Sequence, residues 1–212
     1  MSSAAMLRKF KRRILRLSMK GLPRGPHITR YAMYRRLEEV GHSFPSHGGR
    51  VLAISRSSNL CKLLSLRPDS VTEANFPEHN LLSLQFPDES FDFVLSDQVL
   101  EHVEGNPQQA IDESWRVLRP GGFAVHTTCF INPVHEAPHD YWRFTPMALR
   151  LLTRRFNKIV ECDGWGNFEA WLLVRNGMRF DGIPHATWHP LHRIAVRNDP
   201  AWPIVTWVIA QK

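Results

Sequence analysis

Several features that usually announce a protein's class are scarce in this chain. Its 212 residues include only three cysteines, Cys61, Cys129 and Cys162, with no pair at disulfide-framework or metal-ligand spacing. That excludes a stapled secreted scaffold and makes a reducing, cytosolic compartment the expectation. No apolar run approaches the roughly 18 residues that a membrane-spanning helix needs. The first 36 residues hold eleven of the 27 Lys and Arg and no acid at all. The rest of the chain carries 16 basic and 20 acidic groups, so the net +7 belongs to the amino-terminal arm. A mildly acidic body speaks against a nucleic-acid binder built from the whole domain. Glycine is missing from the turn Ser55-Arg56-Ser57-Ser58-Asn59, so no G-x-G-x-x-G fingerprint of a nicotinamide enzyme follows the first strand.

What is present suits one globular domain with terminal decoration. Apolar residues make up 43% and charged residues 22%, enough for a sizeable core. Residues 4–19 place Leu7, Phe10, Ile14 and Leu17 on one helical face among Arg and Lys. Such a helix suits an anionic membrane surface, an acidic partner, or docking of one stripe on the body. No apolar h-region follows the charges, which argues against a cleaved secretory signal. An Arg-rich, acid-free start is also the composition of an organelle transit peptide.

A second helix is expected over 28–40. Arg50–Ile54 reads as a buried strand, followed by the polar turn and a helix from Leu60 to Leu66. Ser70–Ala74 is a weaker strand. Phe91–Ser96 has apolar residues pointing both ways, the mark of a parallel strand covered by helices on both faces. Asn106, Pro107 and Gln109 form a helix start. Pro120-Gly121-Gly122 ends that helix before the strand Phe123–Thr128. Thr145-Pro146 opens another helix to Arg155, and strands at Lys158–Cys162 and Ile204–Ala210 finish the pattern. Alternating strands and helices argue a doubly wound α/β sheet, whose ligands bind beyond the strands' carboxyl ends.

The ordered series Phe86-Pro87-Asp88-Glu89-Ser90-Phe91-Asp92, Val99-Leu100-Glu101-His102-Val103 and Arg116-Val117-Leu118-Arg119-Pro120-Gly121-Gly122 resembles class I S-adenosylmethionine-dependent methyltransferases of the type-11 group. Asp140-Tyr141-Trp142-Arg143-Phe144-Thr145-Pro146 is similar to a signature of polysaccharide-modifying relatives. The resemblance implies a mostly parallel, seven-stranded Rossmann-like sheet with helices on both faces at 48–212, after a basic helical arm at 1–41. It implies S-adenosylmethionine as cofactor, held by Ile54, Ser55, Ser57 and Ser58 in the first turn. Glu73 stands near the usual ribose-binding acid, Asn80 and Leu81 at the adenine, and Asp97 and Gln98 along the other face. Glycine would let that first turn take positive φ, a geometry that serine restricts. The alternative is therefore a methyltransferase fold that has lost its cofactor and serves as an interaction module.

The loop from His135 to Arg143 is the densest polar cluster on the ligand side. Methyl transfer to a hydroxyl needs the acceptor held in line and its proton removed. The expected roles are His135 as base, Asp140 as its orienter and Arg143 as an acceptor clamp, the acceptor being a small-molecule or glycan hydroxyl. His102 is expected to be structural. His185, His189 and His192 have zinc-like spacing, but Pro190 interrupts the helix and no acid or cysteine completes the set, so no metal is expected. Five of the seven tryptophans lie in or beside 165–203, read as a cap before the last strand. The partners expected are the acceptor and, through 4–19, a membrane surface or acidic protein; nucleic acid is not expected.

Overall fold

The computed structural model describes residues 3–44, 48–136 and 139–212. In chain order the elements are α1 (Ser3–Ser18), β1 (Arg24–His27), α2 (Ile28–Gly41), β2 (Arg50–Ile54), α3 (Asn59–Leu63), β3 (Ser70–Ala74) and β4 (Phe91–Asp97). A 3-10 turn at Leu100–His102 leads to α4 (Pro107–Val117), β5 (Leu118–Cys129), α5 (Pro146–Leu152) and β6 (Lys158–Trp165). The last elements are α6 (Phe168–Leu173), β7 (Gly182–Pro184), α7 (Pro190–Val196) and β8 (Val205–Gln211).

Six strands form the main sheet in the order β3-β2-β4-β5-β8-β6. The first four run parallel, and β8 is antiparallel to both β5 and β6. The expected seventh strand is absent among the described residues. Residues 75–90, where an edge strand would lie, make turns and one isolated bridge between Asn80 and Ser83. Leu82, Leu84 and Phe86 alternate with polar residues there, but Pro77 and Pro87 bracket the stretch and it forms no ladder with a neighbouring strand among the described residues.

Alternation along each central strand feeds two cores. Val51, Phe93, Leu95 and Val125 point toward α2, α3, α6 and α7, whereas Leu52, Ile54, Val94 and Ala124 point toward α4 and α5. The start of α4 is capped as its sequence suggests, Asn106 accepting the Gln108 amide with Pro107 in the first turn. Thr145 caps α5 by accepting the Ala148 amide. Both caps stop the chain cleanly at the end of the sheet that carries the cavity described below.

The arm and the segment 165–203 cover one face together. β1 pairs antiparallel with β7, and Met19, Ile28, Tyr31 and Leu37 share a buried cluster with Trp165, Met178 and Leu191. α1 lies along this layer with its sides divided. Leu15 packs on the core, Met19 is buried, and Arg16 grips Asp181 at 2.9 Å. Phe10, Ile14 and Leu17 are exposed, as is Met6, while the Leu7 side chain of the expected stripe lies outside the described residues. Leu15 and Leu17 are about 200° apart around a helix, so the apolar stripe faces away from the body.

Candidate active site

A cavity of about 440 Å³ opens beyond the carboxyl ends of β2, β3 and β4, within the roughly 300–1,000 Å³ of small-molecule sites. Ile54, Ser55 and Arg56 reach it from the end of β2, Asn75 and Phe76 from β3, and Gln98, Val99 and His102 from β4. His79, Asn80 and Leu81 close the side left open by the missing strand, and Tyr141 comes from the loop after β5.

Of the residues expected on the cofactor side, Ile54, Ser55, Asn80, Leu81 and Gln98 line this cavity, and Ser57, Ser58, Glu73 and Asp97 do not. Ser57 is buried below it, donating to the Ile54 carbonyl and accepting the Asp97 amide at 2.8 Å, so it ties β2 to β4. Asp97 is engaged by Tyr34, by Thr127 at 2.6 Å and by Arg30 at 3.5 Å. Burial and this carboxylate push the Tyr34 hydroxyl up to about 12. Glu73 is exposed and sits inside β3, in register with Ala53. The strand runs on to Ala74, so the residue delivered to the cavity is Asn75, a carboxamide in place of a carboxylate.

The glycine-free turn takes the geometry that glycine would favour. Ser55 and Arg56 both adopt left-handed backbone, with φ of 51° and 64°. The Arg56 amide donates to Asn75 Oδ1 at 2.9 Å, which pins the strained turn to the end of β3. Each left-handed non-glycine residue costs roughly 1–2 kcal/mol, a cost seen most often at functional loops.

Two cavity residues carry buried polar atoms without a partner, Oε1 of Gln98 and Nδ1 of His79. Gln98 is also left-handed, at φ 58°, and its Nε2 lies 3.3 Å from the Thr127 hydroxyl. Orphaned polar atoms on a cavity wall are what a polar ligand satisfies. Together with the apolar walls of Leu81, Val99 and Phe76, they fit a nucleoside-type cofactor.

The loop after β5 brings together His135, Asp140 and Arg143; Ala137 and Pro138 of that loop lie outside the described residues. Asp140 Oδ2 accepts the His135 amide at 2.7 Å and stands 3.2 Å from its Nδ1. Burial opposes ionisation of Asp140, but the Arg143 guanidinium and the His135 amide outweigh it and bring the carboxyl down to about 2. Arg143 is fully engaged here, since both terminal nitrogens bind Asp140 and the rest of the guanidinium meets backbone carbonyls. Arg143, expected to clamp the acceptor, braces Asp140 in this structure. Burial and the Arg179 charge hold the His135 ring below its ordinary value, against Asp140, so it is neutral at pH 7.

A further residue, unremarkable within its motif, stands opposite this ring. Glu101 is fully buried, with Oε2 accepting from Thr128 at 2.8 Å and Oε1 unpartnered 4.0 Å from His135 Nε2. Burial raises its carboxyl above the usual range, against the pull of its backbone, Thr128 and His102. The His102 ring stands edge-on to His135 with centroids 5.1 Å apart and Nδ1 on the His139 carbonyl. Glu101, His102 and His135 each offer a ligand atom within 4.8 Å of the other two. Only burial combined with a missing partner marks Glu101, and neither is legible in a sequence.

The histidines of the zinc-like spacing are engaged elsewhere. His189 caps α7 by accepting the Leu191 amide and meets Ser18, while His185 and His192 share the Tyr31 hydroxyl.

Residues 39–126 match a family model described as a methyltransferase domain. An uncharacterised methyltransferase of Mycolicibacterium vanbaalenii is 35% identical over 101 residues, 46% of this chain and 39% of that protein. The chain spans 23% and 39% of the lengths of the curated relatives it matches. Among solved structures, an S-adenosylmethionine-dependent methyltransferase of Thermotoga maritima, a possible histamine N-methyltransferase, superposes with a TM-score of 0.53 at 15% identity. That match covers 87% of this chain and 91% of the other. The 1,6-didemethyltoxoflavin N1-methyltransferase of Burkholderia thailandensis, solved with S-adenosylhomocysteine, gives 0.53 at 14% identity over 99% and 88%. The match over 39–126 and the shared fold agree with the resemblance read from the sequence. The alternative of a fold that has lost its cofactor finds no support in these matches.

Proposed function

We propose that the chain is an S-adenosylmethionine-dependent methyltransferase acting on a hydroxyl of a small molecule or glycan. The observation that carries this reading is the cavity at the ends of β2–β4 with its orphaned Gln98 and His79 atoms and its His102 wall, behind which the His102 ring meets that of His135. Gln98, Asn75, Asn80 and the backbone of Ser55 and Arg56 would hold the cofactor, and Leu81 and Val99 would cover its flat base. When bound, the cofactor supplies an electrophilic methyl group on a sulfonium. The chain's own residues then exclude water and align the acceptor. His135, oriented by Asp140, presents the Nε2 lone pair that acts on the acceptor hydroxyl. The solved neighbours named above methylate nitrogen according to their names; the choice of oxygen here rests on that lone pair, since a hydroxyl needs its proton removed. Exposed Tyr141 and Trp142 beside the cavity suit stacking on a sugar ring. Calorimetric titration with S-adenosylmethionine tests the reading: micromolar binding, weakened about tenfold by Gln98→Ala, is expected, and no binding at millimolar cofactor overturns it.

For the arm, we infer contact with an anionic lipid surface at the cytoplasmic side of a membrane. Lys9, Arg12, Arg13, Arg16, Lys20 and Arg24 line one groove beside the outward stripe of Phe10, Ile14 and Leu17. Phe180 and Trp188, both exposed, adjoin the residues that anchor α1, Asp181 and His189. An apolar stripe shouldered by cations, with aromatics beside it, matches a headgroup boundary. Among the described residues no helix is long and apolar enough to cross a membrane.

A further inference from the structure

We propose that Glu101, His102 and His135 form a binding site for one divalent transition-metal ion at the wall of the cofactor cavity. The inference rests on the methyl-transfer reading only for what the ion does there; the binding itself does not.

The separation between Glu101 and His135 is the first argument. Oε1 and Nε2 are 4.0 Å apart, too far for a hydrogen bond. Ligand atoms about 2.0–2.2 Å from one ion lie up to roughly 4.2 Å apart. His102 offers an atom within 4.8 Å of both, so a small swing of its ring brings all three onto one ion.

The second argument is the buried carboxylate. Oε1 has no partner, although Glu101 is fully buried. Arg30, Arg143 and Arg179 lie close enough for their charges to matter, but none hydrogen-bonds to it among the described residues. An unpartnered buried carboxyl oxygen 4.0 Å from an imidazole nitrogen is costly unless something completes it.

The third argument is the surrounding support. Metal-binding histidines almost always direct their second nitrogen to a carboxylate or carbonyl, which fixes the tautomer. His102 Nδ1 meets the His139 carbonyl, and His135 Nδ1 lies 3.2 Å from Asp140 and 3.3 Å from the Pro133 carbonyl. The His102 contact leaves Nε2 as its lone-pair nitrogen; His135 does the same in the tautomer that donates to Pro133, the Asn132 side-chain nitrogen lying 3.2 Å from the same Nδ1. Glu101 is held in turn by Thr128 through Oε2, and its carbonyl accepts the amides of Tyr141 and Trp142.

Two imidazoles and one carboxylate favour Mn²⁺, Fe²⁺, Co²⁺ or Zn²⁺ over Mg²⁺ or Ca²⁺. Three protein ligands leave coordination positions open, and His102 borders the cavity. The acceptor hydroxyl would take one of them, and its proton, made acidic by the ion, would leave to solvent water. His135 Nε2 is then a ligand, and the ion would activate the hydroxyl in place of the free lone pair.

The test uses the full chain without a histidine tag, stripped of metal and titrated calorimetrically with Mn²⁺, Co²⁺, Zn²⁺ and Mg²⁺. The expected result is one transition ion per chain with at least tenfold preference over Mg²⁺. Affinity should fall at least tenfold in His102→Ala and in His135→Gln, and stay unchanged in His185→Ala. Co²⁺ absorption bands provide a readout independent of activity, and circular dichroism checks that each variant is folded. His102→Ala is the safer variant, because that ring is only partly buried. No ion bound at millimolar concentration overturns the site, as does binding that survives both substitutions. Full methyl transfer in chelator, with an acidic limb of the pH profile that His135→Gln removes, overturns it in favour of direct proton transfer to His135. S-adenosylmethionine binding to the stripped protein is measured alongside, so failure of the methyltransferase reading remains separate from failure of the ion site.

Discussion

Asp140 binds His135 twice, accepting its backbone amide at 2.7 Å and standing 3.2 Å from its Nδ1. One carboxylate thus anchors the backbone of His135 and, with the Pro133 carbonyl, favours a proton on Nδ1. Because Arg143 braces the same carboxylate, the three residues are a chain of support that ends at Nε2. Asp140→Asn keeps the shape but removes the charge that favours this tautomer. Loss of such an orienting partner typically costs about 10–100-fold. We expect kcat to fall by that factor with cofactor affinity within twofold of the parent. An equal fall in cofactor affinity would mean that Asp140 shapes the cavity instead.

The same carboxyl links stability to acidity. Asp140 ionises at about 2 in the folded protein against a reference value of 3.8. A depressed carboxyl stabilises the fold above its unfolded value, and that stability is lost as pH falls through the folded one. The shift corresponds to about 2 kcal/mol. Urea unfolding of the parent and of Asp140→Asn should differ by about that amount at pH 7, and the gap should close between pH 4 and pH 2. A gap that stays constant across this range would show that the Arg143 pair contributes nothing through charge.

The parallel half of the sheet was legible because Phe91–Asp97 and Arg50–Ile54 are apolar on both faces and end in polar turns. The helix starts at Asn106 and Thr145 were legible for a local reason, a side chain that reaches its own backbone. The missing edge strand was not, nor was it legible that β3, running past Glu73 to Ala74, leaves Asn75 on the cavity wall. Strand ends depend on pairing with neighbours, and a shift of two residues keeps the same alternation while moving the ligand-facing group. The His135–Asp140–Arg143 cluster was visible as a dense polar loop, but Arg143's engagement depends on three-dimensional proximity. Glu101 lay hidden in its motif, since nothing in its spacing from His135 says that the loop after β5 folds back over it.

The turn after β2 offers a prediction about strain. Ser55 holds a left-handed conformation at φ 51° without glycine's freedom. Relief of about 1–2 kcal/mol of strain is offset by about 0.5–1 kcal/mol of added unfolded-state entropy. Ser55→Gly should therefore raise unfolding stability by roughly 0.5–1 kcal/mol, visible as a higher denaturant midpoint at unchanged slope. Destabilisation by this substitution would mean that the serine side chain contributes more than its backbone costs.

The arm is tested on vesicles. With Arg16 held by Asp181 and Met19 buried, α1 is fixed to the body and presents Phe10 and Leu17 outward. Each basic residue near an anionic surface contributes about 1 kcal/mol, and that contribution is screened by salt. Co-sedimentation with phosphatidylglycerol vesicles should therefore be strong at low salt and at least tenfold weaker on phosphatidylcholine. Phe10→Glu together with Leu17→Glu should abolish it while leaving cofactor binding unchanged, because neither residue borders the cavity. Equal binding to both lipids would remove the electrostatic half of the argument. Absence of binding to either, with capture of an acidic protein in its place, would replace the lipid surface with a protein partner.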